Sequence, residues 1–303
     1  MAEFLLELFS EEIPARMQAK AAEDLKRLVT DRLKAAGLAF TKAGAYVTPR
    51  RLALVVDGLP ETQADVKEEK KGPRVGSPQQ AVDGFLKSAG LSSLDQCEQR
   101  DTGKGIFYFA VVEKKGAATA SVLPSLITES ILALSWPKSM RWGYTSFRWV
   151  RPLRQAIAIF DGQVLPSVPH AIQNHSVIAE VIPGQPAIQH LDLEFGRETR
   201  GHRFLAPAPF MVQSFDDYRT KLLDAHVILD ATERRAMIKS QADALAAAKG
   251  FKVKTDEGLL DEVTGLVEWP VVLMGGIDQQ FMDVPAEVLT TSMRTHQKYF
   301  AVE

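Results

Sequence analysis

Hydrophobic and polar positions follow spacings along the chain that predict both strands and helices. An apolar run at 4–9 predicts a buried strand, and apolar residues at helical spacing predict an amphipathic helix over 14–36 that ends at Gly37. A second buried strand is predicted at 51–56, just before the turn residues 57–58. This mixture predicts an α+β fold, with mixed or antiparallel sheets and packed helices.

The middle of the first half carries an exposed connection and a helix start. Residues 61–76 are rich in charge, glycine and proline, which predicts an exposed connection. Ser77, Pro78 and Gln80 match the N-cap, N1 and N3 positions of a capping box at the start of a helix. Periodicity predicts two further elements, a strand at 105–113 and a helix at 122–134.

The second half begins with a predicted hairpin, in which residues 161–162 connect strands at 156–160 and 164–168. Two helices are predicted to begin at Ser214 and Asp230. The remaining elements predicted are a helix at 258–268, a strand at 270–274, a helix at 285–293 and a strand at 297–302. Because domains rarely end inside a core strand, we expect the chain to be the N-terminal part of a longer protein.

Length and composition predict two globular domains. The chain has 303 residues, which corresponds to about two domains, and we place the boundary so that they span 1–145 and 146–303. Hydrophobic residues make up 46% and charged residues 24%, which excludes a disordered or collagen-like chain. Both domains are expected to be α+β, the second being truncated at its C-terminal end.

Charge and cysteine content restrict the cellular compartment and the classes of partner that we expect. Lysines and arginines number 36 against 38 acidic residues, so the net charge of −2 gives no overall attraction to nucleic acid. The single cysteine, Cys97, excludes an internal disulfide and fits the reducing cytoplasm. The longest uncharged run, 163–179, contains prolines and polar residues, so no membrane span is expected.

No residue constellation predicts catalysis or a bound cofactor in this chain. The sequence lacks a P-loop, GxGxxG, HExxH and GxSxG, and no two of its six histidines have the spacing of metal ligands on one helix face. The adjacent carboxylates Glu11-Glu12 and Asp216-Asp217 point about 100° apart on a helix, so neither pair converges on one atom.

Residues 136–154, here called the basic–aromatic segment, combine positive charge with aromatic rings and contain no acidic residue. Arginines that bind phosphates, beside rings that stack on bases, are typical of RNA-binding surfaces. Core aromatics whose edges are covered by arginine stems, or contacts to a partner protein, explain the same pattern. The residues concerned are Lys138, Arg141, Arg148, Arg151 and Arg154, with Trp136, Trp142, Tyr144, Phe147 and Trp149.

A second basic cluster lies at 197–204, where Glu198 is the only acidic residue. Its basic members are Arg197, Arg200, His202 and Arg203. Phosphate binding and simple solvation explain this cluster equally well. Weaker versions of the same signal are Arg50-Arg51 and the group Arg294, His296 and Lys298.

Seven segments, taken in order, resemble one protein family. They are LLELFSEEIPA at 5–15, TPRRLA at 48–53, MRWG at 140–143, FRWVRPLR at 147–154, TRGHRFLAP at 199–207, EWPV at 268–271 and EVLTTSMRTHQKYF at 287–300. The ordered set is similar to the β subunits of the bacterial heterotetrameric glycyl-tRNA synthetases. One departure is Gln155, where an aromatic residue is expected.

The resemblance implies a non-catalytic subunit of an aminoacyl-tRNA synthetase. In that family an α subunit holds ATP, Mg²⁺ and glycine, the β subunit is needed for tRNA recognition, and two of each assemble. Later HD-type and anticodon-binding domains are expected in family members but are absent from this chain. The expected partners are therefore the α subunit and tRNA(Gly). The candidate tRNA contacts are Lys138, Arg141, Trp142, Arg148, Trp149, Arg151, Arg154, Arg200 and Arg203.

Two alternatives remain open at this point. One is a hydrolytic editing module for mischarged tRNA, in which His202 acts as a base. The other is a module that only docks the α subunit.

Overall fold

The computed structural model describes residues 2–142, 147–167 and 193–303, and its strands form three sheets within these ranges. The strands are β1 Ala2–Ser10, β2 Lys42–Thr48, β3 Arg51–Leu59, β4 Val66–Arg74, β5 Glu98–Asp101, β6 Ile106–Lys114, β7 Leu153–Phe160, β8 Gln163–Val164, β9 Phe195–Gly196, β10 Glu198–Arg200 and β11 Pro209–Met211. The helices are α1 Ala15–Ala35, α2 Gln79–Ala89, α3 Thr119–Ala133, α4 Phe215–Asp224, α5 Ala231–Ala247, α6 Glu257–Thr264 and α7 Ala286–Ser292. The α+β prediction is confirmed.

The largest sheet has six strands in the order β2-β3-β1-β7-β8, with β9 paired to β7. Its pairs are antiparallel except for the parallel pair β7–β9. Because β7 pairs directly with β1, strands from both sides of residue 145 share this sheet. The domain boundary between 145 and 146 stays a prediction.

Strand β1 is buried on both faces of the large sheet. Phe4, Leu6 and Leu8 belong to the main core together with the apolar faces of α1 and α3. Leu5, on the opposite face, belongs to a second cluster with residues of α4. A strand covered on both faces is apolar without alternation, which explains why five of the six residues at 4–9 are apolar, Glu7 being the exception.

The sequence signals for a helix end, a turn and two helix caps are confirmed by the structure. The helix predicted at 14–36 is α1, and Gly37 follows it with φ +68°, a conformation that favours glycine. Residues 161–162 make the predicted turn between β7 and β8, and both have positive φ. The side chains of Ser214 and Asp230 cap α4 and α5 as predicted. The second strand of the hairpin is shorter than the predicted 164–168, because β8 ends at Val164; Val168 lies outside the described residues.

The exposed connection predicted at 61–76 is wrong, because β4 occupies most of it. This strand is the edge of a three-stranded antiparallel sheet, β4-β6-β5, against which α2 packs. An edge strand exposes many side chains, so its charge does not prevent pairing. The register shift between Lys71 and Arg74 accommodates Gly72 and Pro73. The predicted capping box is also wrong, since α2 begins after Pro78 without a side-chain cap.

The two strands predicted in the tail, 270–274 and 297–302, are wrong. These apolar residues find no strand to pair with among the described residues, apart from a single bridge between Val253 and Val302. They instead line an apolar groove of about 340 Å³ beside α5 and α6. A search of the described ranges for a helix long and apolar enough to cross a bilayer found none.

Candidate nucleic-acid interface

The rings of the basic–aromatic segment form a continuous row of aromatic contacts, one stacked and two edge-to-face. Residues on either side of the undescribed stretch 143–146 lie antiparallel, with backbone hydrogen bonds between Met140 and Trp149 of 2.8 and 3.2 Å. The centroid of Trp149 lies 5.0 Å from that of Trp136 and 5.8 Å from that of Phe147. Trp142 continues the row through an edge-to-face contact with Phe147, with a distance of 5.7 Å between the ring centroids. Tyr144 lies outside the described residues.

The two tryptophans predicted to stack on RNA have different environments. Trp149 is only 1% exposed and belongs to the main core, so its ring is covered by neighbouring side chains. The interpretation as a core aromatic therefore describes Trp149, and in this conformation the ring offers no face to a base. Trp142 packs against the main core but is only half-buried, so part of its ring remains exposed.

Four of the five cations of this segment have no ion-pair partner among the described residues. Lys138, Arg141 and Arg148 are exposed, and the Arg148 Nε donates a hydrogen bond to Ser139 Oγ at 3.3 Å. Arg151 is half-buried and donates to a backbone carbonyl at 2.7 Å. Within the described ranges, no carboxylate forms an ion pair with any of these four side chains.

Two other predicted arginines are already paired with acidic residues. Glu11 accepts from Arg154 at 2.9 Å and from Arg203 at 2.7 Å, and Arg203 also contacts Glu12. We call these four residues, together with Arg50, the arginine–glutamate junction. Nothing in the local sequence pattern indicates this pairing, because Glu11 precedes Arg154 by 143 residues.

The close approach of three arginines to Glu11 changes the pKa values of the junction. Partial burial raises the pKa of Glu11, but the guanidiniums of Arg154, Arg203 and Arg50 together outweigh it and lower the pKa below its usual value. Arg50 stacks on the ring of Phe9, 4.6 Å from its centroid. Burial and then repulsion from Arg203 lower the pKa of Arg50.

A buried ionic layer lies beneath the junction. The Arg51 guanidinium is fully buried between Glu268, at 3.2 Å, and Glu7, at 3.7 Å. Glu7 lies on β1 and Arg51 on β3, where the antiparallel register places them on the same face of the sheet. Burial opposes the charge of Glu7 and raises its pKa, although the nearby Arg51 acts against this shift.

Hydroxyl groups complete the buried layer and join it to distant parts of the chain. Thr48 donates to Glu268 at 2.6 Å, and Thr199 donates to Glu7 at 2.6 Å. The Tyr218 hydroxyl also donates to Glu7, and burial together with this carboxylate raises the pKa of Tyr218 well above its usual range. The layer therefore fixes strands β1, β3 and β10 and helix α4 relative to one another.

The second basic cluster forms a hairpin anchored on this layer. Strands β10 and β11 pair antiparallel, and residues 201–208 form the loop between them; we call 198–211 the arginine hairpin. The Arg51 guanidinium donates to the carbonyl of Arg200 at 3.1 Å. Gly201 is packed so closely that a Cβ atom there would lie 2.5 Å from Ala225. The Arg200 side chain is exposed and, within the described ranges, has no carboxylate partner.

The geometry gives little support to hydrolytic chemistry at His202. Its Nδ1 accepts hydrogen bonds from the backbone N–H groups of Phe204, at 3.3 Å, and Leu205, at 3.2 Å, so the ring serves to hold the turn. Burial lowers the pKa of His202. The described ranges contain no cluster of three or more histidine, cysteine or acidic side chains that could hold a metal ion.

Five of the seven segments that resemble the synthetase family meet at this place. Backbone hydrogen bonds connect Ser10 to Arg50 at 2.8 Å and Glu11 to Pro152 at 3.0 Å. The ion pairs of Arg203 with Glu11 and of Glu268 with Arg51 connect the segments at 199–207 and 268–271 to the same place. Segments that are far apart in sequence thus form one contiguous structure.

Comparison with known proteins identifies the family. The profile described as the glycyl-tRNA synthetase beta subunit matches residues 4–303. The chain is 59% identical to the glycine--tRNA ligase beta subunit of Rhodospirillum centenum, covering all of this chain and 43% of that protein. It is 49% identical to that of Ruegeria sp. over 42% of the relative, and 50% identical to that of Cereibacter sphaeroides over 41%. The chain thus spans about two fifths of the length of these curated relatives. It belongs to the glycyl-tRNA synthetase beta subunit family.

Proposed function

We propose that this chain contributes a tRNA(Gly)-binding surface to a cytoplasmic glycine–tRNA ligase. It does so beside an α subunit that holds ATP, Mg²⁺ and glycine, in an assembly of two α and two β subunits. The proposal is supported by membership of the family and by the designation of its relatives as beta subunits, which implies a partner. The chain itself supplies binding and assembly surfaces rather than the adenylation site.

The observation that carries the RNA part of the proposal is a group of exposed cations, without ion pairs among the described residues, beside a partly exposed ring. Lys138, Arg141 and Arg148 project from the basic–aromatic segment without carboxylate partners in the described ranges, and Trp142 is half-buried beside them. Cations neutralise phosphates most effectively where no internal acid competes, and rings beside them can stack on bases. Among the predicted contacts, this group is the best placed to bind tRNA.

Charge reversal at two of these arginines tests the proposal. In the complete ligase assembly, we expect Arg141→Glu with Arg148→Glu to weaken tRNA(Gly) binding roughly tenfold or more at low salt. The slope of log affinity against log salt should fall by about 0.7 to 0.9 for each phosphate that the variant no longer neutralises. Because both side chains are exposed, the melting temperature should stay unchanged. Filter binding at three salt concentrations and a thermal melt give these quantities.

A matched control separates local contacts from a change in net charge. Lys249→Glu with Lys252→Glu changes the net charge equally at two exposed positions after α5. Unchanged affinity and salt slope in the arginine variant would contradict the proposal. Weakened α-subunit association with tRNA binding intact would show instead that the segment is a docking surface for the α subunit.

A further inference from the structure

The tip of the arginine hairpin presents an aromatic ring to solvent. Phe204 is 81% exposed, and its ring centroid lies 6.2 Å from that of His202. Aromatic rings usually bury most of their surface, whereas Phe204 and the 53% exposed Leu205 beside it form an exposed apolar tip on the hairpin. The basic residues around it suggested phosphate binding from sequence, but nothing in the pattern singled out this phenylalanine.

Hydrogen bonds fix the backbone of the loop that carries Phe204. His202 donates its backbone N–H to Ala225 at 2.9 Å and accepts at its carbonyl from Ala206 at 3.0 Å. The His202 ring accepts from the backbone N–H of Phe204 itself, at 3.3 Å, and Gly201 leaves no room for a side chain. Because the backbone is fixed before any ligand arrives, binding at the ring costs little ordering entropy.

The charge around the ring favours a polyanion over an apolar protein pocket. Arg200 and Arg203 flank the tip, and Arg50 and Arg154 belong to the adjoining junction. The acidic members of the junction are Glu11 and Glu12, so four guanidinium groups face two carboxylates. Within the described ranges neither Arg200 nor Arg50 forms an ion pair, but Arg50 is half-buried, whereas Arg200 is exposed and donates to the carbonyl of Pro207 at 3.4 Å.

We propose that Phe204 is a stacking platform for one unpaired RNA base, and that Arg200 binds the phosphate of the same or an adjacent nucleotide. The base covers the ring face, and the guanidinium supplies the charge-assisted hydrogen bond. This site uses residues other than Lys138, Arg141 and Arg148, which carry the proposed function. It deepens the proposed function, on which it rests, by naming a single-stranded nucleotide as the element of tRNA that this hairpin binds.

Removing the ring tests the stacking directly. In the complete ligase assembly, Phe204→Ala should weaken tRNA(Gly) binding roughly 5-fold to 150-fold, the range expected for one stacked base. The substitution removes no charge, so the salt slope should stay that of the wild type, whereas Arg200→Ala should reduce it by about 0.7 to 0.9, the value for one phosphate. Phe204→Tyr and Phe204→Trp keep a stacking face and should retain affinity. An unchanged melting temperature shows that the fold is intact.

The outcomes separate this inference from the proposed function. Phe281→Ala, at a ring that is 50% exposed, is the control and should bind tRNA normally. If Phe204→Ala binds normally while the Arg141 and Arg148 variant is weakened, the stacking site is overturned and the tRNA surface stands. If wild-type protein shows no salt-dependent tRNA binding, both fail. Reduced α-subunit association with normal tRNA binding would make Phe204 a protein contact and overturn the inference.

Discussion

Two arginines of the arginine–glutamate junction and two exposed arginines of the basic–aromatic segment have opposite ionic environments. Arg154 and Arg203 form ion pairs with Glu11, while Arg141 and Arg148 have no carboxylate partner in the described part of the chain. The two groups look alike in sequence. The difference shows that a basic cluster identifies a ligand surface only when its internal partners are known.

The two regions also differ in what holds them in place. Below the junction, hydrogen bonds and ion pairs of Arg51, Glu7 and Glu268 fix the backbone in a buried ionic layer. The basic–aromatic segment is held by the packing of its rings around Trp149. One region therefore depends on charge balance and the other on apolar contact, and substitutions can separate the two dependences.

The largest effect is expected in the buried ionic layer. Arg51→Met leaves Glu7 and Glu268 buried without their cation and should lower the free energy of unfolding by about 3 to 5 kcal/mol. Urea denaturation measures this change. The control is Arg219→Met, which breaks the exposed pair with Glu233 and should cost at most about 1 kcal/mol. A decrease below about 1 kcal/mol for Arg51→Met would show that the layer is not held by charge.

A somewhat smaller decrease in the free energy of unfolding is expected when a buried ring of the basic–aromatic segment is removed. Trp149→Ala removes a core ring and should lower the free energy of unfolding by about 3 kcal/mol, near the low end for such truncations. Trp142→Ala, at the half-buried end, should cost less than half of that. Equal costs at the two positions would contradict the assignment of one ring to the core and the other to the surface.

The smallest effect concerns the surface pair of Arg203 and Glu11. A double-mutant cycle with alanine at both positions should give a coupling of about 0.2 to 1 kcal/mol at pH 7, which weakens with salt. The folded state lowers the pKa of Glu11, so this contribution is present above its unfolded pKa of 4.5 and is lost as the pH falls through the folded value. A coupling that persists when Glu11 is protonated would exclude an ionic origin.

Elements specified by neighbouring residues were predictable from the sequence. The strand at 4–9, the helix over 14–36 and the caps at Ser214 and Asp230 depend on local periodicity and local hydrogen bonds, and all were found. The strand β4 was missed, because an edge strand exposes its charges and resembles a loop in composition. The tail at 270–274 was misassigned, because an apolar run forms a strand only when a partner is present.

The candidate site was predictable in its residue types but not in its pairing. The cations and rings of 136–154 were visible in the sequence, whereas the burial of Trp149 and the half-burial of Trp142 follow from tertiary packing. The neutralisation of Arg203 depends on Glu11, 192 residues away. The exposure of Phe204 follows from the anchoring of its hairpin on Arg51, another contact that no local pattern contains.

The pairing of β1 with β7 has a consequence for synthesis on the ribosome. Phe4 pairs with Val56 on one side and with Phe160 on the other. One edge of β1 therefore stays unpaired after β3 has been translated, until β7, about 100 residues later in the chain, has also been translated. At 5–20 residues per second this interval lasts roughly 5 to 20 s. During it the nascent chain presents an apolar strand with an unsatisfied edge, which makes these seconds the period when chains on neighbouring ribosomes are most exposed to strand-to-strand association.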